Sequence, residues 1–427
     1  MRRWIATALI ALTPLAGAAQ DDDGQGYLER LLQDTLSGAG REVRIEGFRG
    51  ALSSRATIDR LTIADANGVW LDAEGLALDW SRAALLRGRV EVNELSAESL
   101  KMPRKPVSDA VDVPAPEATA FTLPDLPVSV NVADLSVARA ELGADVIGQD
   151  AVLSLSGRAQ LANGAGVVAL EAGRQDKAGQ FTVDLAYDPD ANTAAINIQT
   201  QEPEDGIIAG LIGLPDRPSI DLSVAGQGPA DNLTVDVAVK TDAALRLGGQ
   251  VTLRGSALDV DLGGDLRALL DERYHPLVGD DAQVKASAAK ADDGTLTLSD
   301  LDVQARAVDL QGHAVIAPSG LPTEIALKGS LQDPDGVPLE LAPDVTIATA
   351  RIDLGHDAAA GPDWTGQVVL EGVSQAAVEL GQVTLNGSGQ IVPDSEVSPQ
   401  QVSARFDFLT DALQMTDPAV QALLGPQ

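Results

Sequence analysis

The chain has 427 residues, of which 44% are hydrophobic but only 3% are aromatic, and it contains no Cys. This length exceeds the roughly 100 to 200 residues of a usual domain, whereas elongated repeat architectures reach it without a single compact core. The lack of Cys excludes disulfides, iron–sulfur clusters, thiolate zinc sites and thiol catalysis, and the formal charge of −33 argues against binding to nucleic acid, which requires basic residues that neutralise phosphates.

The amino terminus predicts an export signal over residues 1–19. Arg2 and Arg3 precede an apolar run, and small residues at 16–18 form a cleavage-site pattern. Because the run is shorter than the roughly 20 residues that span a bilayer, the segment is either a signal peptide or a signal anchor. The residues assigned to this membrane or signal segment are Trp4, Ile5, Leu9, Ile10, Leu12 and Leu15.

The spacing of apolar residues predicts one amphipathic helix over residues 20–40. Its apolar residues recur at spacings of three and four, as in Leu28, Leu31 and Leu32, and glycines at 38 and 40 end the pattern.

Residues 41–102 form a predicted membrane-proximal β module, whose charge differs from that of the rest. From Arg41 to Lys105 there are eleven basic and ten acidic residues, whereas from Pro106 onward there are sixteen basic and forty-eight acidic ones. A near-neutral module tolerates an anionic membrane surface, which would repel the acidic remainder. The alternative is that the acidic surface only aids solubility. A Pro- and Ala-rich linker over 103–120 coincides with the change of charge.

From 121 to 427 the pattern predicts a β-sheet of repeated hairpins. Apolar and polar residues alternate, as in Leu233, Val235, Val237 and Val239, which is the period of half-buried strands. Turns along the whole chain are predicted at Asn67-Gly68, Asn163-Gly164, Asp188-Pro189, Asp293-Gly294, Asp335-Gly336 and Asn386-Gly387. Short helical interruptions are predicted at 81–86, 204–211 and 264–274, and we expect them to be loops that cap or cross the sheet.

A weak internal repeat places apolar residues at offsets 0, 2, 5 and 7. The sets are Ala56/Ile58/Leu61/Ile63, Val90/Val92/Leu95/Ala97, Val130/Val132/Leu135/Val137, Leu296/Leu298/Leu301/Val303 and Val345/Ile347/Ala350/Ile352. Since side chains on a strand alternate between faces, the change of parity predicts a bulge or corner within each set.

Patterns that would indicate catalysis or cofactor binding are lacking in the sequence. The three histidines, His275, His313 and His356, are far apart and lack the spacing of a helical metal site. The segment that begins at Asp188 departs from a calcium loop because Thr193 replaces the required glycine. No phosphate-binding loop or hydrolase elbow is present. We therefore predict no enzyme activity, no cofactor and no metal site.

The residues alone leave two functions open for an exported acidic sheet. Its apolar face is either packed against another layer, as in a secreted structural or adhesive β-repeat protein with a closed core, or left open as a surface for an apolar ligand.

Five segments near the amino terminus resemble the signature of the TamB family. They are Val43-Arg44-Ile45-Glu46-Gly47-Phe48-Arg49-Gly50-Ala51-Leu52, Ile58-Asp59-Arg60-Leu61-Thr62-Ile63, Gly68-Val69-Trp70-Leu71, Leu76-Ala77-Leu78-Asp79-Trp80 and Ala84-Leu85-Leu86-Arg87-Gly88-Arg89-Val90. Residues 126–130, 207–215 and 226–229 are similar to the same family more loosely. AsmA-like and bridge-like lipid-transfer proteins share this plan.

The resemblance implies a mainly β fold, an elongated, curved sheet that forms a groove. It implies a location at the periplasmic face of the bacterial inner membrane, or in the periplasm if the signal is cleaved. The implied function is phospholipid transfer between inner and outer membranes and assembly or secretion of outer-membrane proteins, with phospholipid and a TamA-type outer-membrane barrel as partners. TamB proteins are longer, so we expect the groove region to be incomplete at its carboxyl end.

Alternation along the strands predicts which side chains would line such a groove. These are Ile58, Leu61, Ile63, Leu76, Leu78, Val90, Val92, Val128, Val130, Val132, Leu233, Val235, Val237 and Val239.

Overall fold

The computed structural model describes residues 42–50, 55–81, 84, 89–107, 129–242, 245–375, 378–392 and 401–415. The predicted signal at 1–19, the amphipathic helix at 20–40 and most of the linker at 103–120 lie outside these residues. The described part is mainly β, with a few short helices, as the sequence predicts. It divides into two compact units, with a boundary between Ala230 and Asp231.

The first unit contains ten strands that pair in chain order. They are β1 Glu42–Glu46, β2 Arg55–Asp65, β3 Gly68–Trp80, β4 Arg89–Met102, β5 Ser129–Leu142, β6 Ala151–Ala162, β7 Ala165–Arg174, β8 Gln180–Asp188, β9 Thr193–Glu202 and β10 Ile220–Pro229. Neighbours are antiparallel except β4 and β5, whose register is parallel. Two short helices, Ala144–Ile147 and Ile207–Leu211, interrupt the strands.

The second unit contains fourteen strands. They are β11 Leu233–Thr241, β12 Arg246–Arg254, β13 Ala257–Asp265, β14 Ala282–Lys290, β15 Leu296–Gln304, β16 Val308–Ile316, β17 Pro322–Gln332, β18 Leu339–Ala342, β19 Val345–Ile347, β20 Thr349–Asp357, β21 Asp363–Gln375, β22 Val378–Val392, β23 Gln401–Val402 and β24 Arg405–Met415. The main ladder follows chain order to β17 and continues through β20, β21, β22 and β24. The hairpin β18–β19 lies between β17 and β20 in the sequence, but β17 and β20 pair directly in the sheet.

The predicted parity changes coincide with irregularities in the ladders, which confirms the expected bulges and corners. Register shifts lie between Val132 and Leu135, between Leu298 and Leu301, and opposite Asn93. In the other two sets the ladder is interrupted opposite a glycine with left-handed φ, Gly75 at 63° or Gly372 at 62°. Side chains on a regular strand return to the same face every two residues. Each irregularity accommodates one extra residue, so the next apolar pair lies on the same face as the first pair.

Most of the predicted turns are confirmed, but the one at Asn386-Gly387 is wrong. These residues lie inside β22, where Asn386 accepts a hydrogen bond from Gln367 across the sheet at 2.9 Å. The glycine accommodates a neighbour, since a Cβ at Gly387 would lie 3.0 Å from the ring of Trp364. Close packing, rather than a reversal of the chain, explains this glycine.

The helical interruptions are partly confirmed. Helix Ile207–Leu211 lies within the predicted 204–211. The interruption predicted at 264–274 begins later, with 3₁₀ turns Arg267–Leu269 and Glu272–Tyr274 followed by helix His275–Val278. Residues 81–86 fall mostly outside the described residues.

Candidate functional site

In the first unit, the register places alternate apolar side chains of β5 to β10 on one face of the sheet. One row across the strands consists of Val132, Ala159, Val168, Leu185 and Ile196, and all five are half-buried. We call this side the apolar face of the unit. A row on the opposite, polar face contains Ser136, Ser156, Glu171, Thr182, Gln199 and Ser223.

The second unit has the same two-sided character. Val235, Val251, Val260 and Ala286 form one row of its apolar face. Leu310, Gly329, Ile352, Val368 and Leu385 form another row of it. On its polar face, Gln250 donates to Asp236 at 3.0 Å, and Lys285 lies 3.6 Å from Asp261. These polar side chains pair with each other across strands and are exposed to water.

The apolar faces are not buried as a core would be. Strand-centre side chains such as Leu185 and Val260 remain half-buried, and the largest fully buried side chains of the described residues are Leu245 and Ile347. Two packed sheets would bury such residues almost completely. Within each unit, the described residues therefore supply no second layer over the centre of the apolar face.

On one side of the first sheet, the ends of the strands are covered by the segments that join them. We call this row of strand ends the capped edge; it is not an edge strand. At this capped edge, made of 143–150, 175–179 and 203–219, helix Ile207–Leu211 and its surroundings bury Ile207, Ala209 and Leu214. Segments 143–150 and 175–179 are each hydrogen-bonded to segment 203–219. Lys177 Nζ and Gln149 Nε2 both donate to the carbonyl of Asp205 at 3.1 Å.

The second sheet has its own capped edge, made of 266–281, 305–307 and 333–348. Here Ala307, Leu339, Ile347 and Ala350 form a buried cluster. Leu277, Leu331, Leu341, Leu370 and Val373 pack against it. Because Leu331 and Leu370 belong to the apolar face by register, the inserted hairpin covers one end of that face.

The opposite edge of each sheet, which we call the turn edge, carries short connections. In the first unit β6 and β7 are joined by Asn163 and Gly164 alone, and β8 and β9 by residues 189–192. In the second unit the connections are 255–256, 291–295, 317–321 and 358–362. None of these connections contains a helix, so the strand ends that they join stay uncovered.

A buried ion pair anchors the cap of the first unit. Arg174 and Glu202 lie on the apolar face, with side chains 1% and 0% exposed, and Arg174 Nη1 is 3.8 Å from Glu202 Oε1. The Glu202 carboxylate accepts the backbone N–H groups of Ile207 and Ile208 at 2.8 and 2.7 Å, which places the start of the helix on the apolar side. Arg174 also binds Asp176 through two hydrogen bonds and thereby lowers the pKa of that carboxyl.

The register brings the described members of the predicted groove-lining set onto the apolar faces. Ile58, Leu61, Ile63, Leu76, Leu78, Val92, Val130 and Val132 share the apolar face of the first unit. Leu233, Val235, Val237 and Val239 share that of the second. The backbone of Val90 pairs with Val130, whereas Val128 and the signal residues lie outside the described residues. That these side chains contact a lipid stays a prediction.

The sequence predicted that loops at 204–211 and 264–274 cap or cross the sheet, but it did not predict that Arg174 and Glu202 anchor the first of them. A break in the alternation could have indicated these two residues, because both occupy positions where parity calls for an apolar side chain. In the described part of the chain no group of acidic residues and histidines is arranged to hold a metal ion. Among the same residues, no helix combines the length and apolar character needed to cross a bilayer.

A family model described as "YdbH-like: Intermembrane phospholipid transport protein YdbH" matches residues 24–317, which is more than half of the chain. No curated protein matches the chain, and no solved structure does.

Proposed function

Because the chain belongs to the YdbH-like family, we propose that its apolar faces hold the acyl chains of phospholipids in transit between two membranes. The observation that carries this proposal is the pair of apolar faces whose centres the described residues leave uncovered. Each is lined by half-buried Val, Leu and Ile over many strands.

Burial of acyl chains supplies the binding free energy. Removing apolar surface from water is worth roughly 25 cal/mol per Å², or about 0.8 kcal/mol for each buried CH₂ group. The rows of aliphatic side chains repeat from strand to strand, so neighbouring positions along a face are nearly equivalent. A lipid can therefore move along the face without having to leave one position of much lower free energy than its neighbours. We propose that no reaction is catalysed during this movement.

The same family and the predicted export signal support a proposed location. We place the protein in the periplasm, held at the inner membrane if the apolar segment Trp4 to Leu15 is retained. The acidic composition from Pro106 onward suits a body that stands in the aqueous space between two anionic membrane surfaces.

A narrower proposal is the TamB-type role, in which a TamA-type barrel is the partner and outer-membrane proteins are assembled. It rests on the five amino-terminal segments between residues 43 and 90 and, more loosely, on residues 126–130, 207–215 and 226–229. The structural or adhesive alternative requires a closed core, and the half-buried centres of both apolar faces weigh against it.

Lipid co-purification tests the proposal. The full chain would be exported with its own signal, purified without detergent, and its bound lipids measured by mass spectrometry against an unrelated acidic β protein. We expect phospholipid enriched over that control. A chain that carries no more lipid than the control would exclude open apolar faces of this kind.

Paired variants locate the bound lipid. Val132→Asp with Val237→Asp puts charges on both apolar faces, whereas Asn131→Asp with Ala238→Asp puts the same charges on the neighbouring, opposite-facing residues. Desolvating a carboxylate costs several kcal/mol, so the first variant should lose most of its lipid and the second should keep it. Circular dichroism would verify that both variants stay folded, and equal lipid content in the two would contradict the assignment.

A further inference from the structure

The two edges of each sheet differ, and this difference has a consequence for how a phospholipid can lie on it. A nine-residue strand is about 30 Å long, and each leaflet of a bilayer holds its acyl chains within about 15 Å. The apolar face is therefore wide enough to hold acyl chains that run from one edge toward the other. The head group must then lie at one of the two edges, because it keeps its water.

The capped edge of the first unit excludes the head group. There the connecting segments fold over the apolar face, bury Ile207 and Ala209, and bind one another through Lys177 and Gln149. A head group could reach water past this edge only by separating helix Ile207–Leu211 from Glu202, which is fully buried. Breaking such a buried charged contact is strongly unfavourable, because it leaves a buried charge without its partners.

The capped edge of the second unit is closed in another way. The hairpin β18–β19 and Leu277 bury Ala307, Ile347 and Ala350. Arg306 binds Asp333 at 3.1 Å and Asp335 at 2.6 Å, which ties the start of the hairpin to the preceding strand connection. Apolar packing and charged contacts therefore both close this edge.

The short connections described at the turn edges present no such barrier. Asp190 in the first unit and Ser319 in the second lie on exposed turns, next to half-buried residues of the apolar face such as Tyr187 and Ile316. A head group at this edge stays in water while its acyl chains contact the face.

We propose that in each unit phospholipid head groups lie along the turn edge, with acyl chains directed across the apolar face toward the capped edge. This inference rests on the proposed function, and it adds which edge of each sheet the polar part of the lipid follows.

The absence of Cys from the sequence makes a direct test possible. Single-cysteine variants of the full chain would carry a fluorophore at the turn edge, in Asp190→Cys and Ser319→Cys, or at the capped edge, in Glu204→Cys and Glu272→Cys. All four positions are exposed. Each labelled protein would be loaded with phospholipid that bears a quenching nitroxide either on the head group or at the end of an acyl chain.

We expect the head-group nitroxide to cause a larger loss of fluorescence at the turn-edge label than at the capped-edge label of the same unit. The acyl-chain nitroxide should reduce or reverse that contrast. Quenching by the acyl-chain probe together with equal or stronger head-group quenching at the capped edge would overturn the edge assignment while leaving lipid carriage intact. Absence of quenching by either probe at all four sites would overturn both.

Discussion

Single charged side chains on an apolar face are costly, and Glu202 shows what such a residue can stabilise. Its carboxylate accepts two backbone N–H groups at the start of helix Ile207–Leu211 and lies beside the buried guanidinium of Arg174. Because Glu202, Arg174 and Ile207 are buried, the contact fixes the helix against the sheet more firmly than an exposed ion pair could.

Removing that carboxylate should therefore loosen the cap of the first unit. Glu202→Ala leaves two backbone donors without an acceptor and removes the buried charge that pairs with Arg174, and we expect it to lower the free energy of unfolding by about 3 kcal/mol. Denaturant titration and hydrogen exchange at Ile207 and Ile208 would measure the effect. Glu171→Ala, on the polar face where Glu171 is exposed, is the matched control and should change stability by less than about 0.5 kcal/mol. Equal effects of the two changes would contradict the anchoring role.

Asp65 gives a second prediction at this scale, which concerns pH. Arg104 donates two hydrogen bonds to it, at 2.9 and 2.6 Å, and together with the N–H of Val107 holds the pKa of this carboxyl far below its usual range. A depressed pKa in the folded state means that the stabilisation is fully present above the unfolded value of roughly 4 and is lost as pH falls through the folded value.

Asp65→Asn should therefore lower the unfolding midpoint at pH 7, and the difference from the parent chain should shrink as pH falls below about 4. Thermal unfolding of both chains between pH 7 and pH 2 measures this. A difference that stays constant across that range would show that the contact acts by packing rather than by charge.

At the scale of strands and turns, alternation in the sequence was sufficient to predict most of the sheet. It identified the strands around Leu233 and Val130, and the offsets 0, 2, 5 and 7 predicted where ladders break. It failed at Asn386-Gly387, because local turn preference cannot reveal that Trp364 from the adjacent strand requires the space beside Gly387. Cross-strand contacts of this kind depend on register, which one sequence does not contain.

Two glycines differ in whether the backbone requires glycine at their position. Gly75 sits at a corner of β3 with φ of 63°, and an added Cβ would lie 2.5 Å from Glu98 Cγ. We expect Gly75→Ala to destabilise the chain by about 1 to 2 kcal/mol. Gly173→Ala is the control, since its Cβ would meet Ser154 Oγ at an ordinary 3.5 Å, and it should be neutral or slightly stabilising. Denaturation midpoints of the two variants provide the comparison, and a harmless Gly75→Ala would show that the corner does not need the left-handed conformation.

At the scale of the whole molecule, the sequence did not predict the division between Ala230 and Asp231. The features that it offered, a change of charge and a Pro-rich stretch, lie at 103–120, whereas the boundary falls at a connection that resembles the other turns. The loops at 204–211 and 264–274 were predicted to cap or cross the sheet, whereas the hairpin β18–β19 was not predicted as a cap, because Ala307, against which it packs, is distant from it in sequence.

From the net charge of −33 we predict how the rate of lipid uptake depends on the charge of the donor vesicle. Anionic vesicles should repel the acidic body, so the full chain should load lipid from them more slowly than from zwitterionic vesicles. The Debye length falls from about 30 Å at 0.01 M salt to about 8 Å at 0.15 M, so added salt should narrow the difference. Transfer of a fluorescent lipid from the two kinds of vesicle would be followed at both salt concentrations. Rates that differ by the same factor at low and high salt would contradict this electrostatic origin.

Pairing of antiparallel strands in chain order has a consequence for how such a protein can change in evolution. Inserting one more hairpin between existing neighbours would lengthen a sheet by about 10 Å, since strands lie about 4.8 Å apart. Its cross-section and its apolar and polar faces would stay as they are. The length of each unit is thus an independent variable, adjustable by duplication or loss of hairpins to suit envelopes of different width without redesign of the surface that meets the cargo.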